Sequence, residues 1–377
     1  MKDMTNRTYL DFNASTPLAP EVRAAMAEVL DEPYGNPSSS HWAGRPGRQA
    51  VEESRVQVAR LLGSKASEIV FTSGGSEANN HALKGAFFAA GRRDVHIITT
   101  QVEHPAIVSP CRFLETFGAS VTYLPVDRYG RVDPDDVRKA LRPETILISV
   151  MHANNEVGTI QPIPEISRLV RGSGVLLHTD AAQSVGKIEC NVEALGVDLL
   201  SVAGHKLYGP KGVGALYIRE GIFIEPLIHG AGHESGRRAG TENILLNAAL
   251  GVACEVAAKW IGMESVKLLR DYFWDRLQST FGKRVAMIGH PTERLPNTLN
   301  VGFVGHIGAE LLSQMPRVAA STGSACHSGS VELSPILQAM KVPPEIGMGA
   351  IRFSLGRGTT QTEIDGVVED LSRVIEI

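Results

Sequence analysis

The chain has 377 residues, of which 43% are hydrophobic and 21% are charged, a balance typical of a folded enzyme and not of a disordered chain. Its 37 basic and 41 acidic residues give a formal net charge of -4, which excludes the general basic surface of a nucleic-acid-binding protein. At roughly 150 residues per domain, the length predicts two or three domains.

The first two thirds of the chain alternate between predicted strands and helices. A helix at 20–30, whose packing partner the sequence does not indicate, is followed by helical patterns at 77–90, 105–117 and 163–171. Short apolar runs predict strands at 68–71, 95–99, 121–124, 145–150, 175–178, 199–202 and 214–218. This alternation favours an α/β fold with a mostly parallel sheet covered on both faces. The last two runs leave no room for a helix between them, so one antiparallel or irregular addition is expected.

The last third predicts a different organisation. Segment 244–281 is helical in pattern and contains no proline, with Gly251 and Gly262 in its interior, so it could connect two domains. Strands are predicted at 297–304, 318–320 and 350–354, and helices at 308–314, 334–340 and 361–375. We therefore expect a second, smaller α+β domain at the C-terminal end.

The cysteines and the apolar segments bear on the cellular compartment. Cys111, Cys190, Cys254 and Cys326 form no CxxC motif and no paired metal-ligand spacing, so neither a disulfide framework nor a metal site is expected. The first residues are charged and lack the apolar core of a secretory signal. The longest apolar stretch, 245–258, is too short and too polar to cross a bilayer. A reduced, cytoplasmic protein with no membrane or nucleic-acid partner is predicted.

Four polar features follow predicted strands. Lys206 lies among glycines after the run at 199–202; most lone lysines are solvated, but a partly desolvated lysine has a lowered pKa and can form a Schiff base. Asp180 closes a strand and could cap a helix, or it could pair with a protonated ring nitrogen. The turn at 73–76 between a strand and a helix could bind phosphate. His104 could be a satisfied residue at a helix start, or it could be a catalytic residue that stacks on a planar cofactor or shuttles protons.

Cys326 differs from the other three cysteines, which we interpret as small buried hydrophobic residues. Its neighbours at 321–330 are small, polar and rich in glycine, a composition typical of a mobile loop. A reactive thiol is therefore a candidate function for Cys326. Together, the Schiff-base lysine, the acid, the phosphate-binding turn and the stacking histidine match what pyridoxal phosphate requires.

At this point the chain resembles the cysteine desulfurase family of class V, fold-type I pyridoxal-phosphate enzymes, in the group with a long cysteine loop. The Arg-x-Gly-His-x-Cys pattern of the short-loop group is absent. The motifs that carry the resemblance are YLDFNAST at 9–16, GNPSS at 35–39, FTSGGSE at 71–77, EHPA at 103–106, NNEVGT at 154–159, HTDAAQ at 178–183, GHK at 204–206, GTEN at 240–243, STGSAC at 321–326 and RFS at 352–354.

The resemblance implies a fold and a set of roles. The expected fold is a large domain at 13–258 with a mostly parallel seven-stranded sheet, and a smaller domain at 1–12 and 259–377 that carries the cysteine loop. Lys206 would hold the cofactor and later move the α-proton, Asp180 would pair with the ring nitrogen, and His104 would stack on the ring. The remaining expected contacts are Asn155 and Gln183 near the phenolic oxygen, Gly75, Ser76 and His205 on the phosphate, Thr241 on the phosphate from a second subunit, and Asn13, Asn155 and Arg352 on the substrate.

The resemblance also implies the reaction and the partners. L-cysteine would be converted to L-alanine, with the sulfur left as a persulfide on Cys326. A homodimer and a sulfur-acceptor protein, such as an iron–sulfur scaffold, would be the partners. Gly323 and Gly329 beside the cysteine are consistent with a loop that first reaches the substrate and then presents the sulfur outside.

One departure from the family keeps alternatives open. Ala203 stands where many desulfurases have a phosphate-binding serine, so one hydrogen bond of about 1.5–3 kcal/mol would be lost. Selenocysteine lyases also tend to have an apolar residue there, and the run Cys326-His327-Ser328 is similar to theirs. A selenocysteine lyase is therefore the first alternative. A class V aminotransferase or lyase without a persulfide step is the second, and a scaffold protein without catalysis is the third.

Overall fold

A computed structural model of the chain describes residues 7–31, 34–322, 324–327 and 330–375, and of residues 31, 324–327, 330 and 331 it describes the backbone alone. The strands are β1 Thr8–Tyr9, β2 Ile69–Thr72, β3 His96–Thr100, β4 Ser120–Leu124, β5 Thr145–Ser149, β6 Leu176–Asp180, β7 Leu199–Ala203, β8 Gly214–Ile218, β9 Val285–Ile288, β10 Thr298–Phe303, β11 Val318–Ala319, β12 Ser321–Thr322, β13 Ser324–His327, β14 Ser330–Leu333 and β15 Ala350–Ser354. The α-helices are α1 Pro20–Asp31, α2 Gly44–Leu62, α3 Gly75–Ala89, α4 Pro105–Glu115, α5 Pro134–Ala140, α6 Ile163–Val170, α7 Val192–Leu195, α8 Ile244–Ala258, α9 Glu264–Phe281, α10 Gly308–Ser313, α11 Pro335–Ala339, α12 Pro344–Gly347 and α13 Gln361–Val374.

Seven strands form the large sheet, in the order β2-β8-β7-β6-β5-β3-β4. Strand β8 runs antiparallel to both of its neighbours, and the other pairs are parallel. The predicted mostly parallel sheet with one antiparallel addition is thereby confirmed.

Both faces of this sheet are covered, which is why its strands are nearly continuous apolar runs. Successive side chains of a strand point to opposite faces. Ile97 of β3 joins the apolar core under α3 and α4, whereas Ile98 joins the core under α2 and α8. Helix α1 contributes Val22 to the core under α2 and α8 and packs on α8, so it belongs with the large sheet.

A second core lies around the four-stranded sheet β12-β15-β10-β9, in which each neighbouring pair is antiparallel. Helices α9 and α13 pack on it, with Phe273 and Val367 fully buried. Leu10 belongs to this core, and β1 pairs with β11. These contacts support the predicted assignment of the N-terminal residues to the smaller domain, whose boundaries at 12/13 and 258/259 stay a prediction.

Besides short elements that were not predicted, among them α5, α7, α12 and β9, the structure differs from the predicted elements at three places. The segment at 244–281 is two helices, because Gly262 and Met263 have left-handed backbone angles, with φ of 84° and 44°, and these end one helix before the next begins. Helix α2 was not predicted, although Val51, Val58 and Leu62 have helical spacing and are buried.

The third difference is the segment around Cys326, predicted to be a loop. Strands β13 and β14 form an antiparallel hairpin there, with Cys326 opposite Val331. Gly323, Ser328 and Gly329 lie outside the described residues, as does the Cys326 side chain.

Candidate functional site

A cavity of about 430 Å³ opens beyond the carboxyl ends of β5, β6 and β7, where ligands bind in open α/β sheets. The structure brings together ten of the predicted site residues around it. The predicted residues that line the cavity are Asn13, Gly75, Ser76, His104, Asn155, Asp180, Gln183, His205, Lys206 and Arg352.

Lys206 lies in a single 3-10 turn, Gly204–Lys206, directly after β7. Its Nζ donates to the backbone oxygens of Asn13 and Ala14, at 2.6 and 2.7 Å. Burial, with the nearby Arg352 guanidinium, lowers the pKa of Lys206 to about 8. A substantial fraction of the amine is therefore uncharged near neutral pH, as a nucleophile or a base requires.

Asp180 ends β6 and is 6% exposed. Its Oδ1 accepts from the backbone N–H of Ala182 at 2.9 Å within a turn. The next helix is α7, so the alternative of a helix cap is wrong. Its Oδ2 accepts from Asn79 Nδ2 at 2.7 Å. Asn79 lies on α3 and lines the cavity, and the sequence analysis missed it. The available signal was a polar residue on a helix face otherwise made of Ala78, Ala82 and Leu83.

The N-terminus of α3 forms one end of the cavity. Gly74 has a φ of 147°, which favours glycine. A Cβ placed on Gly75 would lie 3.2 Å from the Cβ of Ala203, so glycine keeps this end open. The backbone N–H groups of the first helical turn are available to an anion here. Burial, with Lys206 and Lys211, lowers the pKa of His205 to about 4, so this histidine is neutral near pH 7.

His104 lies at a helix start, as one of its predicted roles requires, and stacking on a cofactor stays a prediction. Its Nδ1 accepts from the backbone N–H of Ala106 at 3.0 Å and caps α4. The proton of the neutral ring is therefore on Nε2. Desolvation lowers the pKa of His104, and its ring also lines the cavity.

Arg352 lies at the side of the cavity nearest to the smaller sheet. Its guanidinium donates to the backbone oxygen of Asn155 at 2.9 Å, to Asp11 at 2.6 Å and to Ser321 Oγ at 2.8 Å. In the described part of the chain its Nε and the Oδ1 of Asn155 are buried without a partner. Both atoms are available to a bound molecule. Asp11 and Ser321, which orient the guanidinium, were not predicted.

Asn13 is placed differently from its predicted role. Its Nδ2 donates to the oxygen of Asn155 at 3.2 Å and to Thr298 Oγ1 at 2.8 Å. Its Oδ1 accepts from Lys187 at 2.9 Å and from Asn297 at 3.1 Å. The amide is therefore fully engaged within the protein, and contact with a substrate carboxylate stays a prediction.

Among the predicted residues whose side chains the structure describes, Thr241 lies outside the cavity. Thr241 is exposed and lines a separate pocket beside Ser73 and Arg238. Arg238 donates to Glu77 at 2.9 Å, and Glu77 accepts from the backbone N–H of Ser73 at 2.8 Å. This links the Thr241 loop to the turn that precedes α3. For Cys326 the backbone alone is described.

The three remaining cysteines are buried, as the sequence analysis predicted. Cys111, Cys190 and Cys254 are free and buried, as predicted, and burial raises the pKa of each thiol to about 12. No helix within the described ranges is long and apolar enough to span a bilayer.

Known proteins match this chain along nearly its whole length. Residues 8–367 match the family described as Aminotransferase class-V. The cysteine desulfurase IscS of Dictyoglomus turgidum is 50% identical over 377 residues, which cover 99% of this chain and 95% of that protein. A solved NifS-like protein superimposes with a TM-score of 0.91 at 36% identity, covering 98% of this chain and 99% of that one. A solved structure described as SspA in complex with cysteine has a TM-score of 0.83 at 36% identity, covering 92% of this chain and 98% of that one.

Proposed function

The chain belongs to the aminotransferase class-V family, in its cysteine desulfurase branch, and from this membership we propose the reaction that it carries out. It removes sulfur from L-cysteine, releases L-alanine and holds the sulfur as a persulfide on Cys326. The observation that carries the proposal is the half-buried amine of Lys206 at the strand ends, in a cavity whose other lining residues suit one planar, phosphorylated cofactor.

This family depends on pyridoxal 5'-phosphate, and the cavity fits that group. The open end at Gly75, with Ser76 and the neutral His205, suits the phosphate. The Asp180 carboxylate suits an ion pair with the protonated ring nitrogen. The Oδ1 atom of Asn155, which has no partner in the described part of the chain, can accept a hydrogen bond from the bound group. When bound, the cofactor supplies an electron-withdrawing ring that takes up the electron pair left by the removed α-proton.

Side chains of this protein supply the nucleophile, the base and the group that binds the substrate carboxylate. The neutral amine of Lys206 is the nucleophile that attaches the cofactor and the base that accepts the α-proton at Nζ. Arg352 holds the substrate carboxylate through its guanidinium. His104 covers one face of the cavity with a neutral ring.

The sulfur step balances without an added oxidant. The Cys326 thiolate attacks the sulfur of bound L-cysteine, so an S–S bond forms as the C–S bond breaks. The carbon that loses sulfur gains a proton and becomes the methyl group of alanine. L-cysteine and one protein thiol therefore give alanine and one protein persulfide.

Mass spectrometry of the protein after exposure to L-cysteine tests this proposal. We expect alanine in solution and one added sulfur atom on the peptide that carries Cys326. The peptides of Cys111, Cys190 and Cys254 are the internal controls, because buried thiols with a pKa of about 12 do not form the thiolate. Alanine formation without added sulfur on Cys326 would favour a lyase that lacks the persulfide step.

We further propose that two copies of the chain form a homodimer and that a sulfur-acceptor protein, such as an iron–sulfur scaffold, receives the persulfide. Thr241 supports the dimer, because it is exposed and lies outside the cavity of its own chain. In the dimer it would complete the phosphate site of the second copy. Cys111, Cys190 and Cys254 are free cysteines, which supports a cytoplasmic location.

Ala203→Ser is expected to tighten cofactor binding by about tenfold or more. The Ala203 side chain faces Gly75 at the phosphate end, where a hydroxyl would add one hydrogen bond to a charged group, about 1.5–3 kcal/mol. The dissociation constant of pyridoxal 5'-phosphate, measured by absorbance titration of the cofactor-free protein, checks this. Ala106→Ser, at a cavity position on α4, is the control and leaves the constant near that of the wild type. Equal constants for Ala203→Ser and the wild type would contradict a phosphate contact at this position.

A further inference from the structure

Lys187 is a buried lysine that the reaction described above does not use. It is 5% exposed, and its Nζ donates to Asn13 Oδ1 and to Gln183 Oε1, both at 2.9 Å. The charged groups that act on it in the described part of the chain are Lys206 and Arg352, both cationic. Lys187 therefore faces two neutral amide oxygens and two positive charges.

The backbone holds Lys187 in place from both sides. Gly186 before it has a φ of 77°, and a Cβ there would lie 2.9 Å from the Cβ of Ala257 on α8. The carbonyl oxygen of Lys187 accepts from the backbone N–H of Gly262 at 2.9 Å. The side chain thus starts from a fixed point between β6 and the break that separates α8 from α9.

An uncharged amine suits these partners. An uncharged amine has two N–H donors, and the amide oxygens of Asn13 and Gln183 accept one hydrogen bond each. Burial and the two neighbouring cations lower the pKa of Lys187 well below its ordinary value, which favours the uncharged form. The site then contains no unpaired buried charge, which would be costly.

These contacts decide which way the two amides face. An amide carries its oxygen on one side and its N–H groups on the other. With Oε1 turned to Lys187, Nε2 of Gln183 donates one N–H to the backbone oxygen of Asn13 at 2.9 Å. Gln183 also lines the cavity, so its second N–H is available there. A rotated amide would present an oxygen to the cavity instead.

We propose that Lys187 is a positioning residue whose amine turns the oxygens of Asn13 and Gln183 away from the cavity, so that Gln183 offers an N–H donor to the ring oxygen of the bound cofactor. The inference rests on the proposed function, because that ring oxygen belongs to pyridoxal 5'-phosphate. Lys187 acts through Gln183 and does not itself contact the cavity.

The test is the pH titration of the absorbance band of the cofactor-loaded protein. A donor to an oxygen favours its ionised form, so losing the donor raises the pH at which the band changes. We expect Lys187→Met to move this midpoint upward by about one pH unit, the effect of one hydrogen bond to a charged oxygen. The ionisable groups that line the cavity are the same in both proteins, namely Asp180, His104, His205, Lys206 and Arg352.

A double-mutant cycle separates positioning from general stability. Gln183→Leu alone is expected to raise the midpoint, and adding Lys187→Met to it produces no further shift, because the two residues act as one unit. Lys187→Gln keeps N–H donors on a shorter side chain and is expected to give a smaller shift than Lys187→Met. If Lys187→Met does not fold, Lys187→Gln with and without Gln183→Leu supplies the same comparison.

Arg270→Met is the control for the loss of a buried basic side chain that donates hydrogen bonds outside the cavity. Arg270 is 7% exposed and donates to the backbone oxygen of Leu295 at 2.8 Å, outside the cavity. It is expected to lower the free energy of unfolding without moving the midpoint. A midpoint that is unchanged in Lys187→Met, or a shift that adds to that of Gln183→Leu, would overturn the inference. Alanine formation by the wild type is measured in parallel. If the cofactor-loaded wild type forms no alanine, the proposed function is overturned, but the shift of the absorbance midpoint can still be measured.

Discussion

Lys206→Ala is expected to reduce alanine formation from L-cysteine by roughly 10⁴-fold or more. A positioned general base alone contributes about 10²–10⁴-fold, and this variant also removes the nucleophile that attaches the cofactor. The half-buried amine, with two backbone carbonyl oxygens within 2.7 Å, has no substitute at that place among the cavity residues. Rates of alanine release, measured with saturating cofactor and substrate, check the expectation.

Lys211→Ala is the control for this variant. Lys211 lies in the segment that follows Lys206, is exposed and does not line the cavity, so we expect a rate near that of the wild type. Lys206→Arg keeps a positive charge but supplies no neutral amine at neutral pH, because arginine stays protonated. Near-normal turnover in Lys206→Arg would show that charge, and not nucleophilic or basic chemistry, is what the position supplies.

The pKa of Lys206 also sets the direction of the pH dependence. Burial and Arg352 lower that pKa to about 8, and the neutral form is the one that accepts a proton. The wild-type rate is therefore expected to rise with pH, to reach about half of its maximum near pH 8 and to level off at higher pH.

Cys326→Ser is expected to abolish the protein persulfide and to reduce sulfide release from L-cysteine to the background rate. A serine hydroxyl is not ionised near neutral pH and cannot replace the attacking thiolate. Cofactor binding does not depend on this residue, so the absorbance band of the bound cofactor is expected to remain. The rate of sulfide release in the presence of a thiol reductant checks the first expectation, and the absorbance spectrum checks the second.

Cys254→Ala is the control for the loss of a thiol. Cys254 is 1% exposed, and burial raises its pKa to about 12, so this variant is expected to form the persulfide as the wild type does. Full sulfide release by Cys326→Ser would refute the assignment of the attacking thiol. It would favour the class V lyase without a persulfide step.

Much of the large sheet and of the cavity could be predicted because their signals are local. Strands buried on both faces require apolar runs, and the runs at 199–202 and 214–218 lie within one residue of β7 and β8. Polar residues directly after such runs, such as Asp180 and Lys206, must lie at the carboxyl edge of the sheet. The order of the runs thus predicted that Asp180, Lys206, His104 and the turn at 73–76 share the cavity. The family resemblance implied its other predicted residues, namely Asn13, Asn155, Gln183, His205 and Arg352.

Local patterns failed where residue type carries no signal for the conformation and where the decisive partner is distant in the chain. The break between α8 and α9 depends on left-handed angles at Gly262 and Met263, and a methionine carries no signal for them. The pairing of 324–327 with 330–333 involves small polar residues that are equally typical of a loop. Asn79 contacts Asp180 across 101 positions, a distance that spacing rules do not cover.

The amino-acid order by itself determined the fold class, the carboxyl-edge location of the site and the chemistry of Lys206, because strand burial and residue type act over a few neighbouring positions. Only the tertiary structure decided that Asp11 and Ser321 orient Arg352, that Asn13 is fully engaged, and that Lys187 is buried among amides. The reason is physical: a lysine is hydrated by default. It becomes a neutral positioning amine only when chain segments more than 170 residues apart close around it and exclude water.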